Sequence, residues 1–466
     1  MHKKLKLLLL ALNFFVALLI FVLSIDSFFP DQNDYIALAK GILNGRFSSY
    51  FYLDHYYPAT LRSPGYPIFL AIFLSLSENI LIIKFAQLFI YFFSIYLCLS
   101  ILKHLVRGDL PQYIFLVLST ICIQIPFYSA LISTELVTIF LIVLILYFLL
   151  TKEPDNMFSN LVTGILLAIL VMVKPAFVLL PFMLLVIVLF FNRVQFRKYL
   201  LIFIFFLLGC VPFSALNFHH HGVFKPTTIE GMATIAHMGY WNFKLPTGYR
   251  SKFDSYHTII VADLFNPFKY SDNEIINNIQ EFEEQWRVIN IQLEPYLPES
   301  FADDLSIMQE EGSIFPTYPS DYVIQREKLL TASIIQNVKN DPSYFIKTRI
   351  YNFFRVFFTG INPANLSSEA SAFSKVQMLL AFAISFSIIF CGFLFISFFI
   401  LRNWQNISHE ILIIYSFILY TAGVHIPFSV QARYSVPIHL CLLILLSIIT
   451  SNRHSFIKKK NYAKSK

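Results

Sequence analysis

The chain has 466 residues, of which 57% are hydrophobic and only 14% are charged, and its mean hydropathy is +0.64. A soluble globular chain carries about 25% charged residues. This composition excludes a soluble enzyme, a nucleic-acid-binding protein and a disordered protein. The formal net charge is +7, and a basic surplus beside apolar segments indicates membrane topology rather than a nucleic-acid partner. We expect an all-α polytopic membrane protein in a lipid bilayer.

Ten apolar runs are long enough to predict membrane-spanning helices, because ~20 helical residues cross the ~30 Å hydrocarbon core of a bilayer. In chain order they lie at about 6–25, 80–102, 112–131, 133–150, 159–174, 176–192, 199–217, 375–401, 409–428 and 435–451. We expect about ten spans, within a range of about eight to twelve. The first run also fits the apolar core of a cleaved signal peptide, but no A-x-A-like cleavage site precedes Asp26.

Lysine and arginine residues in the short loops orient these spans. They cluster before the first span and after the second, sixth, eighth and tenth, at Lys3, Lys4, Lys6, Lys103, Arg107, Arg193, Arg197, Lys198, Arg402, Arg453 and Lys458 to Lys460. All these clusters lie on the cytoplasmic side if both termini are cytoplasmic and the number of spans is even. The pattern predicts a multi-pass membrane protein with loops 26–79 and 218–374 on the non-cytoplasmic side. The location we expect is the bacterial inner (plasma) membrane.

The predicted spans divide the chain into four parts. An N-terminal transmembrane module covers 1–235 and includes the loop 26–79, a large non-cytoplasmic loop covers 236–374, C-terminal transmembrane helices cover 375–451, and a basic cytoplasmic tail covers 452–466. The large loop contains helix-like stretches at 273–293 and 320–357, and it is long enough to form a small domain. The five cysteines all lie in apolar runs, which predicts neither a disulfide framework nor a zinc site.

A few charged residues lie close to the predicted hydrocarbon, where an unpaired charge is costly and therefore suggests a function. They are Asp31, Asp34, Arg62, Glu135, Lys174 and Arg433. In the predicted topology all of them lie at or near the non-cytoplasmic ends of spans. The alternative for each is an anchor at the membrane surface: Asp31 also fits the N-cap of a short helix, and Lys174 also fits a side chain that extends to the interface.

The segment around Arg62 has the composition of a rigid turn. It reads Arg62-Ser63-Pro64-Gly65-Tyr66-Pro67 and leads into an apolar stretch. Two prolines restrict the backbone and the glycine permits a sharp bend. We therefore expect this turn to fix the direction of the Arg62 side chain.

Together these motifs resemble the first outer loop of the GT-C superfamily of integral membrane glycosyltransferases. The matching pattern is D-x-x-x-Y-x-x-x-A at Asp31, Tyr35 and Ala39, then Gly45, then the turn at Arg62. The nearest branch includes the protein O-mannosyltransferases and the lipid A aminoarabinose transferase-like enzymes. Further weak matches lie at Glu135, at 164–175, at 217–228 and at Arg433-Tyr434 with Pro437. The resemblance covers about 1–235 and 410–450, which makes 1–235 the expected catalytic module.

This resemblance implies transfer of a sugar from a polyprenyl-phosphate donor to a hydroxyl of a protein, lipid or glycan acceptor, with inversion at the anomeric carbon. Asp31 would be the catalytic base, assisted by Asp34. The donor phosphate would be bound by Arg62, Lys174 and Arg433, which supply positive charge where the leaving group becomes more negative. Glu135 would orient Arg62 or Lys174, and Tyr35 would also support these groups without contacting the substrates.

The chain departs from the family pattern in two places that bear on the site. Gln32 stands where the family often has a second acid, which weakens a divalent-cation site built on paired carboxylates, although Asp34 could substitute. Ser63 replaces the usual first proline of the turn. We therefore predict no metal ligand and name no cofactor, and a divalent cation stays a weakly supported alternative. His219, His220 and His221 do not change this, because adjacent side chains point in different directions.

Two other functions fit a polytopic protein with a large outer loop. One is an O-antigen-type polysaccharide polymerase, although the motifs at Asp31 and Arg62 favour the glycosyltransferase. The other is a lipid or sugar transporter, which would place ionisable residues near the middle of the bilayer on broken helices.

Overall fold

The computed structural model describes residues 2–29, 31–246, 268–310, 316–357, 372–428 and 432–451. These residues form helices joined by turns and short loops, with no extended strand among them. The predicted basic tail, 452–466, lies outside the described residues.

The helices fall into two groups. The first group forms a bundle: α1 (His2–Leu23), α2 (Gln32–Leu43), α3 (Gly65–Leu74), α4 (Leu81–Leu105), α5 (Leu110–Ile121), α6 (Gln124–Ser129), α7 (Thr134–Thr151), α8 (Met157–Val173), α9 (Leu180–Phe191), α10 (Phe196–His221), α16 (Ala372–Arg402), α17 (His409–His425) and α18 (His439–Ser451). The second group forms a side domain: α11 (Met232–Trp241), α12 (Asp272–Leu293), α13 (Phe301–Glu310), α14 (Ser320–Asn340) and α15 (Pro342–Phe357).

Within the described ranges, six helices are long and apolar enough to cross a membrane. They cover Lys4–Leu23, Leu81–Leu105, Thr134–Thr151, Arg193–His221, Ala383–Arg402 and Arg433–Ser451. This is the architecture of a helical multi-pass membrane protein.

The other four predicted spans are also helical, but their helices are shorter. The helices α5 and α9 have 12 residues each, and α8 and α17 have 17. Twelve helical residues extend only ~18 Å, less than the ~30 Å of hydrocarbon. The predicted span 112–131 is broken at Cys122, where the backbone leaves helical geometry (φ −78°, ψ 77°) and α6 follows as a separate helix. Ten crossings therefore stay a prediction.

The centre of the bundle is α18, which packs against α4, α5, α7, α16 and α17. In the most apolar part of the span Arg433–Ser451, which joins the 3₁₀ helix Ala432–Ile438 to α18, 78% of the residues are buried, whereas the corresponding figure for α1 is 17%. The helix α1 thus lies at the periphery with most of its apolar surface uncovered, as expected of a helix that contacts lipid.

The closely packed pair α8 and α10 meets at Gly164, where an added Cβ would lie 2.5 Å from the Cβ of Phe205.

The side domain is built around α14, which packs against α11 and α12. The predicted helical stretches in the large loop correspond to α12 and to the pair α14 and α15, which separate at Asp341. Pro342 begins α15, a position that suits proline because the first helical N–H groups lack partners within the helix. The predicted domain limits at 235 and 374 fall inside α11 and α16, so they do not coincide with breaks between helices.

Arg349 attaches the side domain to the bundle. This buried side chain donates hydrogen bonds from Nη1 to the carbonyl oxygens of Ile426, at 3.1 Å, and Pro427, and from Nη2 to that of Gly239, at 2.9 Å. Burial lowers its pKa to about 10 despite the neighbouring Tyr344. Ile426 and Pro427 directly follow α17, so α15 is held against the end of that helix.

Candidate functional site

Asp31 lies at the N-cap position of α2, but its side chain makes no capping hydrogen bond. Its Oδ1 accepts from Nη2 of Arg62 and its Oδ2 accepts from Nη2 of Arg433, both at 3.0 Å. Arg62 also donates to Oδ2 of Asp34 at 3.2 Å. The carboxylate of Asp31 therefore joins two arginines rather than capping a helix.

The second half of the site is centred on Glu135, in the first turn of α7. Its Oε1 accepts from Nζ of Lys174 at 3.2 Å and lies 3.6 Å from Nε of Arg433. Of the two partners that the sequence suggested for Glu135, the structure places Lys174 in contact with it. The unexpected neighbour is Arg433, which links the two halves into one chain of alternating charges.

All six charged residues that the sequence singled out thus lie in one cluster, which we call the ion cluster (Asp31, Asp34, Arg62, Glu135, Lys174 and Arg433). It holds three acids and three bases, so its formal charge is zero when all six are ionised. Five separate parts of the fold contribute to it: the start of α2, the turn before α3, the start of α7, the end of α8 and the short 3₁₀ helix Ala432–Ile438 before α18.

The glycine of the predicted rigid turn has a specific packing role. Gly65 begins α3, and a Cβ added to it would lie 2.7 Å from the carbonyl oxygen of Met172 and 2.8 Å from the nitrogen of Val173. No side chain fits in that space, so only glycine allows this approach between α3 and the end of α8. Lys174 follows Val173 directly, and Arg62 precedes Gly65 by three residues. The contact between α3 and the end of α8 therefore brings these two cations to the same region.

Aromatic rings pack against the cations. The Arg62 guanidinium lies 4.9 Å from the ring centre of Tyr35, and that of Arg433 lies 4.6 Å from the ring of Phe29. Such contacts stabilise a cation without neutralising it. The structure thus places Tyr35 beside Arg62, and its supporting role stays a prediction. Sequence reasoning missed Phe29, although its place two residues before Asp31 was an available signal.

A second aromatic contact lies under Lys174. Its Nζ is 5.6 Å from the ring centre of Tyr434, and that ring stacks on His425 with centroids 4.3 Å apart. His425 is buried, and its Nδ1 lies 2.7 Å from the carbonyl oxygen of Thr421 in α17. No motif in the sequence pointed to His425, because it comes to the site only through the packing of α17.

The two aspartates have different electrostatic environments. Burial alone would raise the pKa of Asp31, but Arg62 and Arg433 outweigh it and lower this pKa to about 2. For Asp34, burial outweighs its single arginine partner and raises the pKa above the usual range. Burial also raises the pKa of Tyr35 to about 12. In the unliganded site, Asp31 is therefore the weaker proton acceptor of the two carboxylates.

The arginines are the more accessible members of the ion cluster. The side chains of Arg433, Arg62 and Asp34 are 19%, 16% and 14% exposed, whereas those of Lys174, Asp31 and Glu135 are 11%, 7% and 1% exposed. The more accessible part of the cluster therefore holds two guanidinium groups and one carboxylate. This excess of positive charge favours an anionic ligand.

The turn that carries Arg62 is tied to the side domain. Thr60 Oγ1 donates to Oε2 of Glu230 at 2.7 Å, and the backbone N–H of Glu230 donates to the carbonyl oxygen of Thr60 at 3.0 Å. Arg326 on α14 forms an ion pair with the same Glu230 carboxylate. The position of Arg62 thus depends on Glu230 and, through it, on Arg326, which lies in the part of the chain that the resemblance does not cover.

No group of three or more His, Cys, Asp or Glu side chains that could hold a metal ion occurs in the described part of the chain. The three adjacent histidines contact different partners. His221 Nδ1 lies 2.7 Å from Oγ of Ser320, whereas the ring of His220 packs edge-on against Tyr56. Their side chains therefore do not converge on one point.

Comparison with protein-family models, with characterised proteins and with solved structures finds no match to this chain. The resemblance to membrane glycosyltransferases therefore depends on the motifs and on the residues they contain.

Proposed function

We propose that this protein is an inverting membrane glycosyltransferase that moves a sugar from a polyprenyl-phosphate donor to an acceptor hydroxyl. The observation that carries the proposal is the ion cluster, in which two arginines approach each other across the single carboxylate of Asp31. Maintaining six ionisable groups at the end of an apolar bundle is costly, which favours a function for them beyond holding the helix ends together.

Binding of the donor phosphate would follow from the position of Arg62 and Arg433. Each guanidinium carries five N–H donors in a planar arrangement that matches phosphate oxygens. Both groups already lie beside Asp31, so one phosphate can contact both. Lys174 adds a third positive charge on the other side of Arg433.

Reaction in this site would be a single displacement. The acceptor oxygen attacks the anomeric carbon, the bond from that carbon to the phosphate oxygen breaks, and its electron pair remains on the phosphate. The acceptor proton passes to a carboxylate. Arginine side chains near the phosphate stabilise the charge that develops on the leaving group.

Donor binding would also prepare the base. In the unliganded site the arginines hold the pKa of Asp31 at about 2, too low for an efficient proton acceptor. When the donor phosphate takes hydrogen bonds from Arg62 and Arg433, it competes with Asp31 for the same donors. The pKa of Asp31 then rises toward its usual value, and the carboxylate becomes available to the acceptor hydroxyl.

The site would face the non-cytoplasmic side of a bacterial inner membrane, with both termini in the cytoplasm and about ten crossings. Support comes from the lysine and arginine clusters of the short loops and from the contact between loop 26–79 and the side domain. That contact includes a hydrogen bond from the hydroxyl of Tyr57 to Asp304 at 2.7 Å, so both lie on one side of the bundle.

Mass spectrometry of cell-envelope glycans, glycolipids and glycoproteins from cells with and without the gene tests the function. We expect one sugar-sized mass increment to be lost on deletion and to return with the wild-type gene. It should also return with Arg287→Ala, a control variant whose exposed arginine pairs only locally with Glu284. An unchanged set of products, or products that are complete but confined to the cytoplasmic side, would contradict the proposal and, in the second case, indicate a transporter.

A further inference from the structure

A cleft of about 580 Å³ lies on the same side of the bundle as loop 26–79. Four segments form its walls. They are loop 26–79, the end of α10, the turn that precedes α13, and the start of α14 with the proline before it. The lining residues are His55, Tyr56, Tyr57, Pro58, His219, His220, Pro298, Ser300, Pro319 and Ser320. Pockets of 300–1,000 Å³ commonly bury a drug-sized ligand, and a di- or trisaccharide is of that size.

The chemistry of the lining favours a neutral ligand rich in hydroxyl groups. The described residues that form the cleft present imidazole, phenol, hydroxyl and proline groups, with no carboxylate, ammonium or guanidinium among them. Phenol and serine hydroxyls can each donate and accept hydrogen bonds, as can the two nitrogens of imidazole. Sugar hydroxyls have the same double capacity, and the apolar C–H faces of a sugar pack on aromatic rings. A phosphate would find no lysine or arginine side chain here.

The walls are held in place by contacts outside the cleft. Asp304 Oδ2 accepts from the hydroxyl of Tyr57 at 2.7 Å and lies 3.0 Å from Nδ1 of His55. His221, behind the end of α10, lies 2.7 Å from Oγ of Ser320. These contacts leave the ring of Tyr56, which is 40% exposed, available for a ligand.

Tyr56 and His220 form one side of this opening. Their ring centres lie 5.5 Å apart in an edge-to-face arrangement, and the ring of His220 also stacks on Phe47 at 6.4 Å. The two rings therefore meet at an angle, and that of His220 is held by a second aromatic contact. A surface of this kind can hold a sugar ring by one face and by one edge.

The cleft is also close to the ion cluster along the chain. Pro58, in its wall, precedes Arg62 by four residues, so their Cα atoms lie at most ~14 Å apart even if the chain is fully extended. Thr60, between them, is fixed by Glu230. An oligosaccharide bound in the cleft therefore lies within a few sugar units of Asp31 and Asp34.

We propose that this cleft binds the neutral carbohydrate part of the acceptor, which makes the acceptor a glycan. This inference rests on the proposed function and names its second substrate. The sugars in the cleft would place the terminal hydroxyl of the glycan at the carboxylates of the ion cluster. Loop 26–79 would then carry both substrates, the donor at Arg62 and the acceptor at Tyr56.

The test measures carbohydrate binding in the absence of donor, so that its result does not depend on transfer. The full chain in lipid nanodiscs is applied to an array of neutral, sialylated and phosphorylated glycans. Neutral oligosaccharides that bind are then titrated in solution. We expect Tyr56→Ala and His220→Ala each to weaken binding by about tenfold, the upper range for one aromatic contact. Tyr56→Phe keeps the ring and should lose much less.

Tyr296→Ala is the matched control, because this tyrosine is 41% exposed in the side domain and lies outside the cleft. Its affinity for the same glycan should equal that of the wild type. Thermal unfolding of each variant excludes misfolding as the cause of a loss. Failure of every neutral glycan to bind, a preference for the sialylated or phosphorylated glycans, or binding that the Tyr56 and His220 variants leave unchanged would each overturn the proposal.

Either proposal can fail without the other. If transfer to an acceptor is demonstrated but no binding depends on Tyr56, the cleft is not the acceptor site and the transferase function stands. If neutral glycans bind in the Tyr56-dependent manner but the envelope products are unchanged without the gene, the cleft binds carbohydrate and the transferase function is wrong.

Discussion

Arg62 and Arg433 donate from their Nη2 atoms to different oxygens of the same carboxylate, Asp31, each at 3.0 Å. The two guanidinium groups are both positive and would repel each other. The negative carboxylate of Asp31, which both contact, compensates for this repulsion. The arrangement keeps two guanidinium groups together in the absence of a ligand. It therefore prepares an anion site at the cost of lowering the basicity of Asp31.

Asp31→Asn should separate the chemical role of this residue from its structural one. Asn and Asp are similar N-caps, and Asp31 makes no side-chain cap bond in any case, so α2 should remain intact. If Asp31 accepts the acceptor proton, turnover should fall by roughly 10²–10⁴-fold. Donor affinity should stay the same or increase, because asparagine competes less strongly for the arginines. Turnover and donor binding are measured separately in proteoliposomes.

Two results would change that assignment. Near-normal turnover of Asp31→Asn would pass the role of base to Asp34. A loss of donor affinity equal to the loss of turnover would make Asp31 a residue that positions the two arginines.

Arg62→Ala should weaken donor binding and turnover together, because the phosphate would lose one guanidinium in both the ground state and the transition state. Arg62→Lys should recover only part of the affinity, since an ammonium lacks the planar pair of donors. Arg287→Ala, at an exposed arginine of the side domain, is the control and should behave as wild type. Donor affinity that is unchanged in Arg62→Ala would show that Arg62 only pairs with Asp31 and Asp34.

Glu135→Gln should destabilise the bundle. Glu135 is 1% exposed, and removing one partner of a buried ion pair typically costs about 3–5 kcal/mol because the other charge remains. Adding Lys174→Met should restore much of the thermal stability, because a buried pair can often be replaced by apolar groups without loss. Activity should not return. A double variant as unstable as the single one would show that Arg433, rather than Lys174, is the partner that matters.

Gly65→Ala should lower both stability and activity. The added Cβ would lie 2.7 Å from the Met172 carbonyl oxygen, and relieving such overpacking typically costs about 1–3 kcal/mol. The turn that carries Arg62 must then move away from the end of α8. Gly423→Ala is a suitable control, because a Cβ there meets no atom within 4 Å. If both variants unfold at the same temperature, the close approach of α3 to α8 is not required.

Stability should decrease in acid partly through Asp31. Its folded pKa, about 2, lies below the ordinary value of 3.8, so its contribution is complete above about pH 4 and is lost as the pH falls through about 2. A difference of this size corresponds to about 2 kcal/mol. Asp34 acts in the opposite sense, because burial raises its pKa. The effect is therefore measured as the difference in unfolding midpoint between wild type and Asp31→Asn across this pH range, and a constant difference would refute it.

The sequence was sufficient to find the members of the ion cluster but not their pairing. Each member stood out because charge near apolar segments is rare and costly. Pairing depends on which helix ends meet, and Asp31 and Arg433 are 402 positions apart. The predicted topology indicated Arg62 or Lys174 as the partner of Glu135. The contact of Glu135 with Arg433 could not be predicted, because it depends on where the 3₁₀ helix before α18 lies in the fold.

The limits of the fold prediction have similar causes. Long apolar helices such as α4 and α7 were predicted to within a few residues, because hydropathy defines them directly. The break at Cys122 was missed, since a continuous apolar run gives no sign of a local change in backbone geometry. The cleft near Tyr56 was missed as well, because its walls come from segments far apart in the chain that meet only through contacts such as Tyr57 with Asp304.

The order of residues along the chain has a consequence for biogenesis. A nascent chain inserts its N-terminal helices first, and Asp31 and Asp34 meet Arg62 early, leaving one negative charge in excess. Glu135 and Lys174 then form a pair that is neutral by itself. Only when Arg433 emerges, hundreds of residues later, does the ion cluster reach electrical balance. Partly synthesised chains should therefore retain an unsatisfied acid near the membrane surface until Arg433 and α18 have been inserted.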